Sequence, residues 1–307
     1  MYICLTDKTM LFSGSFHEYH QMKPVSLALL MMMLSQFGTP LSTGRSRVAL
    51  VTGANKGIGF EIAKKLHDAG ITTIFACRTN GEEAAARLGC EHSVFLDLTD
   101  SVSIEKCRDY VEKKFGKLDI LVNNAAICFN DPTLFGKVPY TPFEQQANIT
   151  IQTNFFGTCK LTNALLPLLP KSGRVINIAS SAGRLAIMKS QQKVDLFTDP
   201  SLTMNNLETY MSTFVKQVES GVHSQNGWPN TCYGMSKLGI IAYTKTLARD
   251  RPDLLVNSVD PGYCATDQNN YQGTRPAERG ARTPFLLATI DADYSGKHWF
   301  DEQEARW

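Results

Sequence analysis

From residue 46 onward, short apolar runs alternate with helix-length amphipathic segments, and this rhythm limits the possible folds more than any other feature. The runs at 47–52, 72–77, 93–97, 119–123, 173–179 and 254–259 read as strands. Segments 59–68, 101–115, 145–169 and 233–250 carry helical spacing. Within the runs apolar residues are continuous rather than alternating, as expected of strands covered on both faces in a parallel sheet. Such strands need crossover connections of right hand, which here predicts a single doubly wound α/β domain of Rossmann type with its ligand crevice at the carboxyl ends of the strands. Between 183 and 229 the rhythm fails. The sequence there is polar, with one amphipathic stretch near 207–222, and reads as a helical insertion over about 183–230. No repeat or linker divides 46–307.

Composition narrows the function classes. A net charge of +2 over 307 residues offers no global field for nucleic acid or an anionic membrane. The eight cysteines, at 4, 77, 90, 107, 128, 159, 232 and 264, form no C-x-x-C pair and no zinc spacing, so no metal site is expected. Scattered thiols of this kind suit a reducing, cytoplasmic setting. Residues 1–45 stand apart. Their apolar run at 25–34 is too short to span a bilayer, and no small-x-small cleavage signal follows it. This segment is expected to be a poorly ordered extension that is dispensable for activity.

The segment 52–59, Thr-Gly-Ala-Asn-Lys-Gly-Ile-Gly, joins the first strand to the first helix. Glycines allow a tight turn and close approach of the backbone to a pyrophosphate, which a helix N-terminus attracts. A site for NAD usually places a carboxylate at the end of the second strand to bind the ribose 2′-hydroxyl. Here that end reads Ala76-Cys77-Arg78. A neutral thiol, a guanidinium able to fork onto phosphate oxygens, and Lys56 in the turn all favour NADP(H).

The 173–179 strand closes with Ser180 and Ser181, and Tyr233-Gly-Met-Ser-Lys237 opens a helix. Spacing of four places Tyr233 and Lys237 on one helical face. An ammonium near a phenol favours the phenolate, and a serine hydroxyl can donate to an oxygen that gains negative charge. Taken alone, the same pair also fits a half-buried tyrosine ring beside a lysine whose stem lies along it.

Together these pieces resemble the short-chain dehydrogenase/reductase superfamily, through TGANKGIG at 52–59, DLTD at 97–100, NNAA at 123–126, TNFFGT at 153–158, INIASS at 176–181, YGMSK at 233–237 and PGYCATD at 261–267. The insertion, Gly227-Trp228-Pro229 and Trp307 resemble its carbonyl reductase branch. The resemblance implies catalytic roles for Tyr233 as proton donor, Ser181 as polariser of the carbonyl oxygen, Lys237 as ribose ligand, and Asn154 as holder of a relay water. It assigns Gly53, Asn55, Lys56, Gly57, Ile58, Arg78, Asp97, Leu98 and Asn124 to the cofactor. Tyr233, Lys237, Pro261, Gly262 and Thr266 join them at the nicotinamide end, and Ser181, Tyr233 and Tyr263 would meet substrate. The implied activity is reduction of aldehydes, ketones or quinones by NADPH. Oxidation of a specific alcohol or hydroxysteroid, or NADP(H) binding without turnover, are the alternatives. A monomer is expected, because insertions of this kind cover the surface through which shorter relatives associate. Ala126 departs from the commoner glycine, Tyr263 from tryptophan, and Gln268 from methionine, so the family's substrates do not transfer directly.

Overall fold

A computed structural model describes residues 46–129 and 140–307. The strands are β1 (Val48–Thr52), β2 (Thr72–Cys77), β3 (Ser93–Phe95), β4 (Ile120–Asn123), β5 (Arg174–Ile178), β6 (Leu255–Asp260), β7 (Cys264–Ala265), β8 (Arg275–Pro276), β9 (His298–Phe300) and β10 (Gln303–Glu304). The helices are α1 (Gly57–Asp68), α2 (Gly81–Ala86), α3 (Ser101–Phe115), α4 (Phe143–Ile151), α5 (Thr158–Leu165), α6 (Gln191–Thr198), α7 (Met204–Glu219), α8 (Cys232–Asp250), α9 (Ala277–Gly280) and α10 (Arg282–Thr289).

Eight strands form one sheet in the order β10-β9-β6-β5-β4-β1-β2-β3, and all neighbours are parallel except β9 and β10. The chain runs outward from β1 to β3, then returns to the other side of β1 at β4. Connections therefore diverge at the carboxyl ends of β1 and β4, and the crevice between them is where this topology holds ligands. Alternation along each strand divides the core in two. Leu50, Ile74, Leu121, Val175 and Val256 face one layer, which includes Phe155, Met211 and Leu238 from the helices. Ala49, Val51, Phe75, Ile120, Val122 and Ile176 face the other, with Ile62 and Leu66 of α1. The α/β parallel architecture read from the sequence is the one observed.

Two details differ from the sequence reading. The helical stretch expected over 145–169 is α4, a π-helical turn at Gln152–Gly157 and α5, followed by a short 3-10 turn. Gly157 closes the π turn against the neighbouring loop, where a Cβ would lie 2.4 Å from the Leu98 carbonyl oxygen. Strand β9 and helix α10 carried too short a pattern to be read. Insertion residues 183–229 form α6 and α7, each started by a side-chain cap from Ser190 and Thr203 respectively. Residues 1–45, including the extension read from sequence, lie outside the described residues.

Candidate active site

The turn between β1 and α1 is built around glycine for steric reasons. Gly53 and Gly57 have φ of 64° and 56°, in the left-handed region. A Cβ on Gly59 would sit 2.3 Å from the Gly53 carbonyl oxygen and 2.4 Å from Asn124 Nδ2. Thr52 Oγ1 accepts the N–H groups of Asn124 and Ala125, both at 2.9 Å, which ties the ends of β1 and β4 together. Asn124 Nδ2 donates to Thr52 O at 2.9 Å, so its amide hydrogens serve this turn and its oxygen is what remains for a ligand.

A cleft of about 480 Å³ opens here. Gly53, Asn55, Lys56, Gly57, Ile58, Arg78, Asp97, Leu98, Asn124 and Thr266 line it. Tyr233, Lys237, Pro261 and Gly262, also expected to contact the cofactor, do not line it. At the end of β2 burial pushes the Cys77 thiol up to about 11, so this position is neutral. Burial opposes ionisation of Asp97, but hydrogen bonds from Thr99 and the charge of Arg78 outweigh it and hold the carboxyl below its usual range. Across the mouth, Lys56 pairs with Asp267. Both side chains are exposed, so the pair contributes about 1 kcal/mol or less and yields readily to a competing anion.

Beyond the cleft floor lies the Tyr233 cluster. Thr231 caps α8 by accepting the Gly234 N–H at 2.9 Å, which fixes Tyr233 in the first turn and Lys237 one turn later. Lys237 is only 4% exposed. Its Nζ donates to the Ile178 carbonyl at 2.7 Å and lies 5.6 Å from the Tyr233 ring centroid. Burial lowers its pKa to about 8, against the opposing pull of Cys128 and Asp260. The Tyr233 phenol moves up, chiefly by burial, with Cys128 and Asp260 adding to the effect and hydrogen bonds from Ser180 and Gln268 opposing it. The expectation that Lys237 would lower the phenol is thus corrected: desolvation of the tyrosine dominates the shift, and Lys237 is not among the groups that set it. Tyr233 is protonated at neutral pH.

The expected serine also needs correction. Ser181 is exposed, opens a 3-10 turn and is engaged through its carbonyl by Arg184. Ser180 is the one whose hydroxyl reaches Tyr233, while also accepting the Ala182 N–H at 3.2 Å. The reason is one residue of register: β5 ends at Ile178, and the backbone turns immediately after Ser180.

Asn154 sits in the π turn, 2% exposed. Its carboxamide takes the Ile127 N–H at 2.8 Å, and donates to Ile127 O at 2.9 Å and to Ser236 Oγ at 3.0 Å. Ser236 in turn donates to Tyr233 O at 2.7 Å. Asn154 thus fastens the cleft floor to the first turn of α8; its side chain is a clamp rather than an open ligand. Tyr263, expected at substrate, is 42% exposed and does not line the cleft. Sequence reasoning missed Ser180, Cys128 and Asp260 as neighbours of Tyr233, and named Gln268 only as a departure. Among the described residues no cluster could hold a metal ion, and no helix is long and apolar enough to cross a membrane.

The model of the short chain dehydrogenase family matches residues 47–191. Carbonyl reductase (NADPH) 3 of Mus musculus is 38% identical over 271 residues, covering 82% of this chain and 94% of the mouse protein. The chain is a short-chain dehydrogenase/reductase. Carbonyl reductase (NADPH) 1 of Homo sapiens is 36% identical to this short-chain dehydrogenase/reductase over 269 residues, with the same coverage of 82% and 94%. Among solved structures, salutaridine reductase from Papaver somniferum superposes with a TM-score of 0.74 at 31% identity, covering 82% of this chain and 99% of that one. The chain is therefore a short-chain oxidoreductase similar to carbonyl reductases.

Proposed function

We propose that this short-chain dehydrogenase/reductase reduces carbonyl compounds (aldehydes, ketones or quinones) to alcohols with NADPH. The observation that carries this reading is a half-buried, protonated Tyr233 flanked by Ser180 and Lys237, together with a cleft in which the end of β2 carries Cys77 and Arg78 in place of a carboxylate. The cleft fits a dinucleotide in size and lining: about 480 Å³ opens along the glycine turn, with Lys56 and Arg78 among the residues that border it. Lys56 and Arg78 would hold a 2′-phosphate, and Asn55, Gly57, Ile58 and the α1 N-terminus the pyrophosphate. Asp97, Leu98 and Asn124 would line the adenosine, with Thr266, Pro261 and Gly262 toward the nicotinamide.

When bound, the cofactor supplies a hydride to the carbonyl carbon. The protein's own groups handle the oxygen. Tyr233 gives it a proton, and Ser180 donates a hydrogen bond as charge develops there. Lys237, held by Ile178 O, would bind ribose hydroxyls and return a proton toward Tyr233. Names of the similar mammalian proteins, both carbonyl reductases using NADPH, support the cofactor and the substrate class. A monomer is proposed too, since α7 of the insertion packs against α4 and α8 and covers them within one chain. Dispersed thiols support a cytoplasmic location.

The test is NADPH oxidation, followed by absorbance, with quinones, aromatic aldehydes and ketones. Wild-type turnover is expected, with a loss of about 10²–10⁴-fold in Tyr233→Phe, the range for a positioned general acid. Binding of NADPH without turnover of any carbonyl would contradict the reductase reading.

A further inference from the structure

The segment that carries Ser180 makes its last sheet bond from Ala179 N–H to Val259 O, at 2.7 Å, and then turns at once. Ser180 Oγ accepts the Ala182 N–H at 3.2 Å, and Ser180 O accepts the Gly183 N–H at 2.9 Å. Ser181–Gly183 is a single 3-10 turn, and a second follows at Leu185–Ile187. Isolated 3-10 turns hold themselves weakly, because their hydrogen bonds are poorly aligned. This one is held by its neighbours. It lies backbone to backbone on the first turns of α8: a Cβ on Gly183 would be 2.6 Å from Leu238 N, and one on Gly234 would be 2.6 Å from Ala182 O. That stretch of α8 carries Tyr233 and Lys237. A second hold comes from far along the chain, where Trp307 Nε1 donates to the buried Gly183 O at 3.0 Å.

Trp307 is brought there by the end of the sheet. β10 returns along β9, Ala305 N–H donates to His298 O at 2.8 Å, and the partly buried indole then packs on the core layer that holds Leu238. Lys245 Nζ, two turns beyond Lys237 on α8, lies 5.9 Å from an indole ring centroid. A cavity of about 260 Å³ borders the same side chain, with Phe197, Leu202 and Thr246 among its other lining residues. Packing therefore leaves the ring open on that side, and the directed bond to Gly183 O sets its orientation. Ser180 thus lies between two fixed points, the sheet bond at Ala179 and the indole bond at Gly183. We infer that Trp307 is a positioning residue: by holding Gly183 O, its indole N–H fixes the turn that aims the Ser180 hydroxyl at the reacting carbonyl oxygen. Trp307 does not line the cofactor cleft, so it acts through Ser180 and not on the cofactor. The inference rests on the reductase reading, and deepens it.

The experiment crosses Trp307→Phe with Ser180→Ala. Phenylalanine keeps an aromatic ring and removes the donor. With the fastest carbonyl of the panel above, Trp307→Phe alone is expected to lower kcat about five- to tenfold, the effect of one hydrogen bond. The Kd of NADPH, read by fluorescence titration, should stay unchanged. When Ser180→Ala is already present, Trp307→Phe should change kcat by about twofold or less, because a residue that acts through Ser180 has nothing left to position. Hydrogen exchange gives a reading that needs no turnover: the amides of Ala182 and Gly183, both bonded to Ser180, should exchange faster in Trp307→Phe. Should that variant fail to fold, 3-benzothienylalanine in place of Trp307 keeps the shape of the indole and puts sulfur where the N–H was. The same loss of kcat in both backgrounds, or unchanged exchange at Ala182 and Gly183, would overturn the inference while leaving the reductase reading intact. Faster exchange with no wild-type turnover of any carbonyl would uphold the hold on the turn and sink the reductase reading. Unchanged exchange together with no turnover removes both.

Discussion

Ser180 and Ser181 differ by one peptide unit, and the difference decides which can touch Tyr233. Ser180 ends the extended backbone and reaches the phenol; Ser181 begins the next turn and is exposed. Ser180→Ala is expected to lower kcat by about 10²-fold, in line with loss of one donor to a developing oxyanion, and Ser181→Ala to stay near wild type. Steady-state kinetics on the pair measures this, and the reverse order would restore Ser181 to the role its motif suggested. Lys237 makes a second residue-scale prediction. With its pKa lowered to about 8, the ammonium is present below that pH and is lost as pH rises through it. Tyr233 shifts upward and stays protonated over the same range. Reduction draws on a proton, so kcat/KM is expected to be level below about pH 8 and to decline above it. A profile that stays level far above this point would show that Lys237 does not need its charge.

Three elements bring the cluster together. The Thr231 cap sets where α8 starts, and the start sets which turn carries Tyr233. Thr231→Ala should cost about 1 kcal/mol of stability, read from denaturant midpoints at unchanged slope, because one helix N–H loses its partner. The π turn at Gln152–Gly157 swings Asn154 toward Ile127 and Ser236, a position a regular helix would offset along its axis. Helical periodicity over 145–169 was legible, but the one-residue bulge was not. The glycine that ends it, Gly157, lies against the Leu98 carbonyl, a contact between segments distant in sequence. Likewise the wall residue Gln268 had no periodicity to announce it; only its difference from the family's usual methionine marked it.

At the scale of the whole molecule, the cleft exists because β2 and β4 flank β1 while their connections leave in opposite directions. Anything that fills the cleft ties both halves of the sheet to the segment after β6, and so stabilises the fold by linkage. NADPH at 100 times its Kd should contribute about 2.7 kcal/mol, a rise in Tm of roughly 5–10 °C for a unit of this size. NADH at the same concentration should give a clearly smaller rise in a thermal melt, because Lys56 and Arg78 then have no 2′-phosphate to bind. Equal rises would remove the charge argument for NADP(H).

The sequence by itself determined the doubly wound architecture, the glycine turn and the cations near it, and the Tyr233–Lys237 spacing. Each of these is local: continuous apolar strands, φ values open to glycine, and the pitch of a helix link residues a few positions apart. Tertiary structure decided what depends on packing between distant segments. It chose Ser180 over Ser181, committed the Asn154 side chain to a clamp, and brought Cys128, Asp260 and Gln268 to the phenol. It also reversed the expected direction of the Tyr233 shift, because desolvation depends on everything that packs around a group, and four residues of spacing carry no record of that.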